Sequence, residues 1–460
     1  MTDLHLYSAT KLAELIRTRQ VSPVEVVSAF LNRIDKLNPE LNAIVTIAGD
    51  AIERAHEAET ALKRGGATGP LHGLPVTVKD TIDTAGLRTT SGSALRAKRI
   101  PDQDAPAVAR LKAAGAIILA KTNTAEMAMD YNGDNPVFPR AHNPYDLSRT
   151  PGGSSAGEAV GIATCMSPAG IGSDLAGSVR IPAHFCGITG LKPGVARIPG
   201  GGQFPPASGA YSLGSAIGPM ARTVSDLQLL FRVLAGSESK PAQNMSGLRV
   251  AWYTDDLVAQ VTEETRRAVE TAAGALADAG LKVEESRPPG VEQGHALWLK
   301  MFSRTSVVVL RDVYAGREDE AGSFVSWRLR TAGDSPVDHL DDYLHSWLQR
   351  DRLRAELIDW MGDFPLLLCP VGAVPAFKHD THRVMVGEQS LSAFRAFSYS
   401  QTFNTFDLPS VTIPVGRSNE GLPIGVQVIG RPFEEEIVLE AARLIEEALG
   451  GWQPPPTFPG

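Results

Sequence analysis

A chain of 460 residues with 43% hydrophobic and 21% charged residues has the balance of a folded protein that buries a large core without metals or disulfides as staples. Its net charge of -8 is spread along the chain without a basic block, which argues against a nucleic-acid or anionic-membrane surface and favours small-molecule ligands. Cys165, Cys186 and Cys369 are odd in number and sit among apolar or small residues, so they read as reduced core thiols. The start MTDLHLYSATK has no basic region followed by an apolar run, and no segment approaches the roughly 18 apolar residues of a membrane helix. A soluble cytoplasmic protein is expected.

Ser22-Pro23-Val24-Glu25 offers an N-cap, a proline at the first helical position and a capping-box glutamate, and Val27, Phe30, Leu31, Ile34 and Leu37 follow at helical spacing. A second helix is predicted over 50–64, ended by Gly65-Gly66, after which Leu74 to Val78 reads as a short buried strand delivering Lys79 and Asp80 at its end. A helix over 105–114 and a strand over 116–120 continue the alternation of an α/β sheet, and 158–164 reads as a helix of small residues. The Gly/Pro-rich run IPGGGQFPPASG is an ordered surface loop, because periodic structure resumes over 213–234. Further on, 248–253 and 282–285 read as strands flanking a helix over 262–279, whereas 286–400 is irregular and richer in aromatics. Strands at 366–369, 410–415 and 424–429 and a helix at 434–449 close the chain, and no internal repeat is visible.

Amide hydrolysis needs a nucleophile, a base, and donors for the developing oxyanion. A lysine can act as base near neutral pH when burial or a neighbouring cation lowers its pKa. Lys79 follows the apolar strand PVTV, although a surface lysine paired with Asp80 would look the same in isolation. In Gly172-Ser173-Asp174-Leu175-Ala176-Gly177-Ser178, small residues leave backbone N–H groups near Ser178 able to converge, although a Gly/Ser turn is the plainer reading of that stretch alone. The joint pattern of Lys79, Gly152-Gly153-Ser154-Ser155 and Asp174-x-x-Gly177-Ser178-x-Arg180 is far rarer than its parts.

That pattern, from Leu71 to Pro193 with weaker echoes at 22–42 and 403–430, resembles the amidase signature family of serine hydrolases. The resemblance implies a single α/β domain over 1–460 with a mixed twisted sheet covered by helices, a catalytic core over 71–193, and a variable, substrate-determining region over 286–400. It implies a Ser–cisSer–Lys triad in which Lys79 is the neutral base, Ser154 relays the proton after a cis peptide, and Ser178 attacks to give an acyl-enzyme. It further implies an oxyanion hole from the backbone of Leu175, Ala176, Gly177 and Ser178. Asp174 and Arg180 are expected to pair as scaffold orienting the loop, and Ser155 to cap the helix that follows. Ala176 and Ala156 stand where the family commonly has glycine, and Ala176 is expected to tune acyl specificity.

Rival readings come from other classes. Gly153-Ser154-Ser155-Ala156-Gly157 fits the G-x-S-x-G elbow, with Ser155 as an esterase nucleophile, but the polar, proline-bearing stretch 143–151 is a poor strand to precede it. Ser8-Ala-Thr-Lys11 fits S-x-x-K on an exposed-looking helix with no accompanying motif. A catalytically dead scaffold is disfavoured by the intact serines and lysine. Within the family, a glutaminase subunit of a tRNA-dependent amidotransferase is the alternative; Ile181-Pro182, where such subunits carry Gln-Pro, favours a stand-alone amidase, with a homodimer left open.

No cofactor is implied. The ten histidines do not fall into ligand spacing; His379 and His382 come nearest, while His72 and His184 read as packing or hydrogen-bonding residues. Met127, Tyr131, Trp298, Met301, Phe302 and Phe403 form an apolar and aromatic set suited to an aryl or alkyl acyl pocket.

Overall fold

Alternating strands and helices assemble around one mixed sheet in the computed structural model, which describes residues 3–66, 69–236, 245–331 and 340–458. In chain order the strands are β1 (Ile44–Ile47), β2 (Pro75–Lys79), β3 (Ile117–Thr122), β4 (Ala169–Asp174), β5 (Thr189–Lys192), β6 (Ala216–Ala221), β7 (Arg249–Trp252), β8 (Lys282–Glu285), β9 (Leu366–Pro370), β10 (Arg383–Val386), β11 (Gln389–Ser392), β12 (Ser410–Arg417) and β13 (Pro423–Gly430). Eleven of them form one sheet in the order β1-β3-β2-β4-β6-β5-β12-β13-β9-β7-β8, and β10-β11 form a separate hairpin. The expected single-domain α/β architecture is what the chain adopts.

Helix starts follow their caps. Ser22 and Glu25 make the reciprocal capping box of the helix Pro23–Leu41, and Thr262 caps Glu263–Asp278. The Ser8 of the S-x-x-K match caps Ala9–Arg17, and its Lys11 pairs with Glu14 in solvent, so that motif is a helix start.

β2 lies between two parallel partners, β3 and β4, and all five of its residues are buried, which explains its unbroken apolar character. Because β2 and β4 are parallel, with Val78 opposite Ile171, their C-terminal residues Lys79 and Asp174 emerge at the same end of the sheet. β4 reads AGIGSD and β6 AIGPMA; their small residues carry little β-propensity, so neither strand announces itself in the sequence. In β4 smallness is required, since a Cβ on Gly170 would stand 2.0 Å from Glu158 Oε1 and 2.5 Å from the Thr77 carbonyl oxygen.

The expected irregularity of 286–400 is corrected. This stretch carries the helices Val291–Trp298, Arg304–Tyr314, Ser323–Thr331 and Leu340–Trp360, then β9 and the β10-β11 hairpin. The pattern is faint where little of a helix is buried: Leu340–Trp360 buries only Ser346, Leu353 and Leu357 among its 21 residues, and Ser323–Thr331 only Val325.

Candidate active site

Lys79, at the end of β2, is fully buried, and its Nζ lies 2.6 Å from Ser154 Oγ and 3.1 Å from Ser173 Oγ. Burial pulls the Lys79 pKa from its ordinary 10.5 down to about 7, against the pull of the Asp174 and Glu158 carboxylates. Glu158, wholly buried on the helix Ala156–Ala163, accepts from the hydroxyls of Thr77 and Thr122, and burial pushes its carboxyl up to about 7. Lys121 is also buried and drawn down to about 8, but it donates to the Ile82 carbonyl and Thr84 and touches no serine. The Gly153–Ser154 peptide bond is cis.

Ser178 lies on the turn between β4 and the helix Arg180–Cys186 and lines the same cavity as Ser154 and Ser173. Asp174 organises that turn. Its carboxylate accepts from the N–H groups of Gly177 at 2.9 Å and Val179 at 3.0 Å, and it pairs with Arg180, both side chains being fully buried. Arg180 reaches Gln427 Oε1 at 2.9 Å and Asn404 Oδ1 at 2.6 Å, tying the turn to β13 and to the helix Ser398–Thr405. Burial would raise the Asp174 carboxyl, but Arg180 and the surrounding donors hold it well below the usual carboxylate range. Gly177 takes φ +97° with Ile181 and Ser400 packed where a Cβ would be, so glycine is required there. Since its N–H is turned to Asp174, Gly177 is corrected from the expected set of oxyanion donors. Among the described residues, no acceptor faces the N–H groups of Leu175, Ala176 and Ser178.

Ser155 is buried, its Oγ 3.4 Å from both the N and O of Ser173. It occupies the N-cap position of Ala156–Ala163 without a side-chain capping bond, which corrects the capping expectation. Among the described residues no strand leads directly into it, and it is absent from the cavity wall, so the elbow reading has no support.

The cavity has a volume of about 810 Å³. Met127, Tyr131, Trp298 and Phe302 line it; Met301 and Phe403 do not, each being wholly buried in the core behind the wall. Phe403 lies on Ser398–Thr405, a helix buried on every side, and so packs against neighbours instead of facing open space. Sequence reasoning missed Phe204, Phe324, Trp327, Arg328 and Phe394, which also line the cavity. It also missed Ser173 and Glu158; the one readable signal was an acid standing in the otherwise small and apolar run SSAGEAVGIA.

The remaining candidates fall outside the site. His184 accepts the Gly425 N–H on Nδ1 and donates from Nε2 to the Val374 carbonyl, and burial pushes it down to about 4. His72 bonds the Ala58 carbonyl, and His379 packs edge-on against His142. Among the described residues no group of three or more His, Cys, Asp or Glu is arranged to hold a metal ion. The three cysteines are free and buried, and no described helix is long and apolar enough to cross a membrane.

Comparisons with known proteins place this arrangement, a buried lysine bonded to serines beneath a cavity on an eleven-stranded mixed sheet, among hydrolases that act on carbon–nitrogen bonds. The sequence model described as Amidase matches residues 25–439. Fatty-acid amide hydrolase 2 of Homo sapiens is 32% identical over 499 residues, covering 99% of this chain and 91% of its own. A glutamyl-tRNA(Gln) amidotransferase subunit from Carboxydothermus hydrogenoformans is 31% identical over 496 residues, covering 97% and 98%. A crystal structure of an amidase superposes with a TM-score of 0.88 at 28% identity, covering 96% of this chain and all of the other. The chain belongs to the amidase signature family.

Proposed function

We propose that the protein hydrolyses a carboxylic amide, and the matching ester, through an acyl-enzyme on Ser178. The observation that carries this reading is the 2.6 Å contact between Ser154 Oγ and the Nζ of a fully buried Lys79 whose pKa is drawn down to about 7, beneath the cavity that Ser178 lines. Neutral Lys79 takes a proton from Ser154 as Ser154 takes the Ser178 proton, and Ser178 Oγ adds to the substrate carbonyl carbon. The oxyanion forms against the N–H groups of Leu175, Ala176 and Ser178. As the C–N bond breaks, the proton returns through Ser154 to the departing amine. Water then repeats the addition on the ester, the C–Oγ bond breaks, and acid and free Ser178 result. No cofactor takes part.

The region 286–400 supplies Trp298, Phe302, Phe324, Trp327 and Phe394 to the cavity, which supports its role in choosing the acyl group. Aromatic walls favour aryl or alkyl acyl chains. Buried, free cysteines accord with a cytoplasmic location.

The test is a small serine-directed phosphonate with peptide mapping, run beside turnover of aryl amides, alkyl amides and glutamine by the isolated chain. A single adduct on Ser178, lost together with turnover in Ser178→Ala, is expected; near-normal turnover by that variant refutes the assignment. The 31% identity to an amidotransferase component over nearly the whole chain favours a second reading, a glutaminase feeding a partner protein, which glutamine-only turnover would establish.

A further inference from the structure

The turn that carries Ser178 is held from its carbonyl side by two residues of the cavity wall. Trp298 Nε1 donates to the Leu175 carbonyl at 2.8 Å, and the Tyr131 hydroxyl donates to the Ala176 carbonyl at 2.7 Å. Tyr131 is itself fixed: its hydroxyl accepts from Gln401 Nε2 at 3.1 Å, and that amide also donates to the Phe394 carbonyl at 2.9 Å and faces His295 with its oxygen. Phe394 stacks on Tyr131 with ring centroids 4.7 Å apart and stands 6.1 Å from Trp298.

In a trans peptide the C=O and the following N–H point in opposite directions. Anchoring the Leu175 carbonyl on Trp298 therefore aims the Ala176 N–H away from the indole. The next peptide is clamped at both ends, its carbonyl by Tyr131 and its Gly177 N–H by Asp174. The Ser178 N–H belongs to the following peptide, whose Gly177 carbonyl accepts from the Ile181 N–H at 2.7 Å.

Resting on the hydrolytic reading above, we infer that Trp298 and Tyr131 are positioning residues for the oxyanion hole, acting through the carbonyls of Leu175 and Ala176. The same two rings face the cavity in which the acyl group sits. Acyl recognition and oxyanion stabilisation are then one mechanical unit: an acyl group that packs against Trp298 and Tyr131 immobilises the donors that stabilise its own tetrahedral intermediate. Selectivity among acyl groups is expressed in kcat more than in KM.

Tyr131→Phe keeps the ring and deletes the anchoring donor together with the acceptor for Gln401 Nε2, and Trp298→Phe keeps an aromatic ring but deletes the anchoring N–H and part of the indole on the wall. Removing a direct oxyanion donor costs about 10²–10³ in kcat, so losing an anchor that acts through one is expected to cost about tenfold, with KM within about twofold. Phenylboronic acid, which adds to Ser178 Oγ as its proton passes to the Ser154–Lys79 pair, mimics the tetrahedral state; its inhibition constant is expected to rise in step with the fall in kcat. Benzoic acid, a product mimic without a tetrahedral centre, should bind unchanged. Wild-type kcat in both variants overturns the inference, as does a parallel loss of kcat, benzoic acid binding and thermal midpoint, which marks a structural role. Phosphonate labelling of Ser178 separates the cases: without it the hydrolytic reading itself fails, whereas labelled variants with unchanged kcat refute only this proposal.

Discussion

Substituting Lys79 by Met should abolish turnover and change the stability of the protein by an amount that depends on pH. In the unfolded chain Lys79 ionises at its ordinary 10.5, and in the fold it does so at about 7. A tenfold change in proton affinity is about 1.4 kcal/mol, so burying this amine costs on the order of 5 kcal/mol at and below pH 7. The sign follows from proton counts. Between pH 7 and 10.5 the unfolded chain binds one more proton than the folded one, so wild-type stability rises with pH across that window and is flat in this term below it. Methionine removes the term. It also leaves Ser154 and Ser173 without their shared partner, a penalty of about 1–3 kcal/mol per buried hydroxyl that does not vary with pH. The diagnostic is therefore the slope: the stability of Lys79→Met relative to wild type, from urea unfolding at pH 6, 7, 8 and 9, should be constant from 6 to 7 and then fall by about 2–3 kcal/mol by pH 9. A difference that stays level from pH 7 to 9 would show that the amine is not held neutral by burial, and the role of Lys79 as base would lose its physical ground.

The same displacement predicts that kcat/KM of the wild type rises with unit slope up to pH about 7 and is level above it, since only neutral Lys79 accepts a proton. Glu158→Gln removes an anion that favours the charged lysine, so the inflection should move to lower pH; movement to higher pH contradicts the electrostatic account. Phe403→Ala, in the core behind the wall, should cost about 3–5 kcal/mol in urea with KM unchanged. Phe302→Ala, on the wall, should in addition raise KM for aryl amides relative to acetamide. Asp174→Asn strands the buried Arg180 charge and should cost about 3–5 kcal/mol with loss of turnover; wild-type stability would show that the pair is not the tie described.

Much of this was legible where side-chain pattern and environment agree. Ser22, Thr262 and the apolar strand before Lys79 announce their elements through caps and burial, and the Asp174–Arg180 pair was expected from the family resemblance, to which the structure adds that the acid gathers the N–H groups of its turn. What failed did so for definable reasons. The glycines of β4 and β6 are crowded where a Cβ would stand, Gly170 by Glu158 and the Thr77 carbonyl, Gly172 by Ser155 and Gly218 by the Leu191 carbonyl, so these strands show little of the usual strand preference. The helices Ser323–Thr331 and Leu340–Trp360 bury too few residues to show a period. Aromatic character marks burial but not which surface of the core a ring faces, so Met301 and Phe403 were indistinguishable from Trp298 and Phe302. Ser173 was hidden because its contact with Lys79 is made across adjacent parallel strands, between positions far apart in the chain.

Arg180 sets a timetable as well as a geometry. Its guanidinium is completed by Gln427, 247 positions later. At the 5–20 residues per second of synthesis, the helix that follows Ser178 exists for roughly 10–50 s before the last partner of its arginine has been made. Throughout that interval the nascent chain carries Lys79, Ser154 and Ser178 but not the acceptor that closes the network beneath them. Only when β13 docks does the last side-chain acceptor of Arg180 join the network that ties down the turn carrying Ser178.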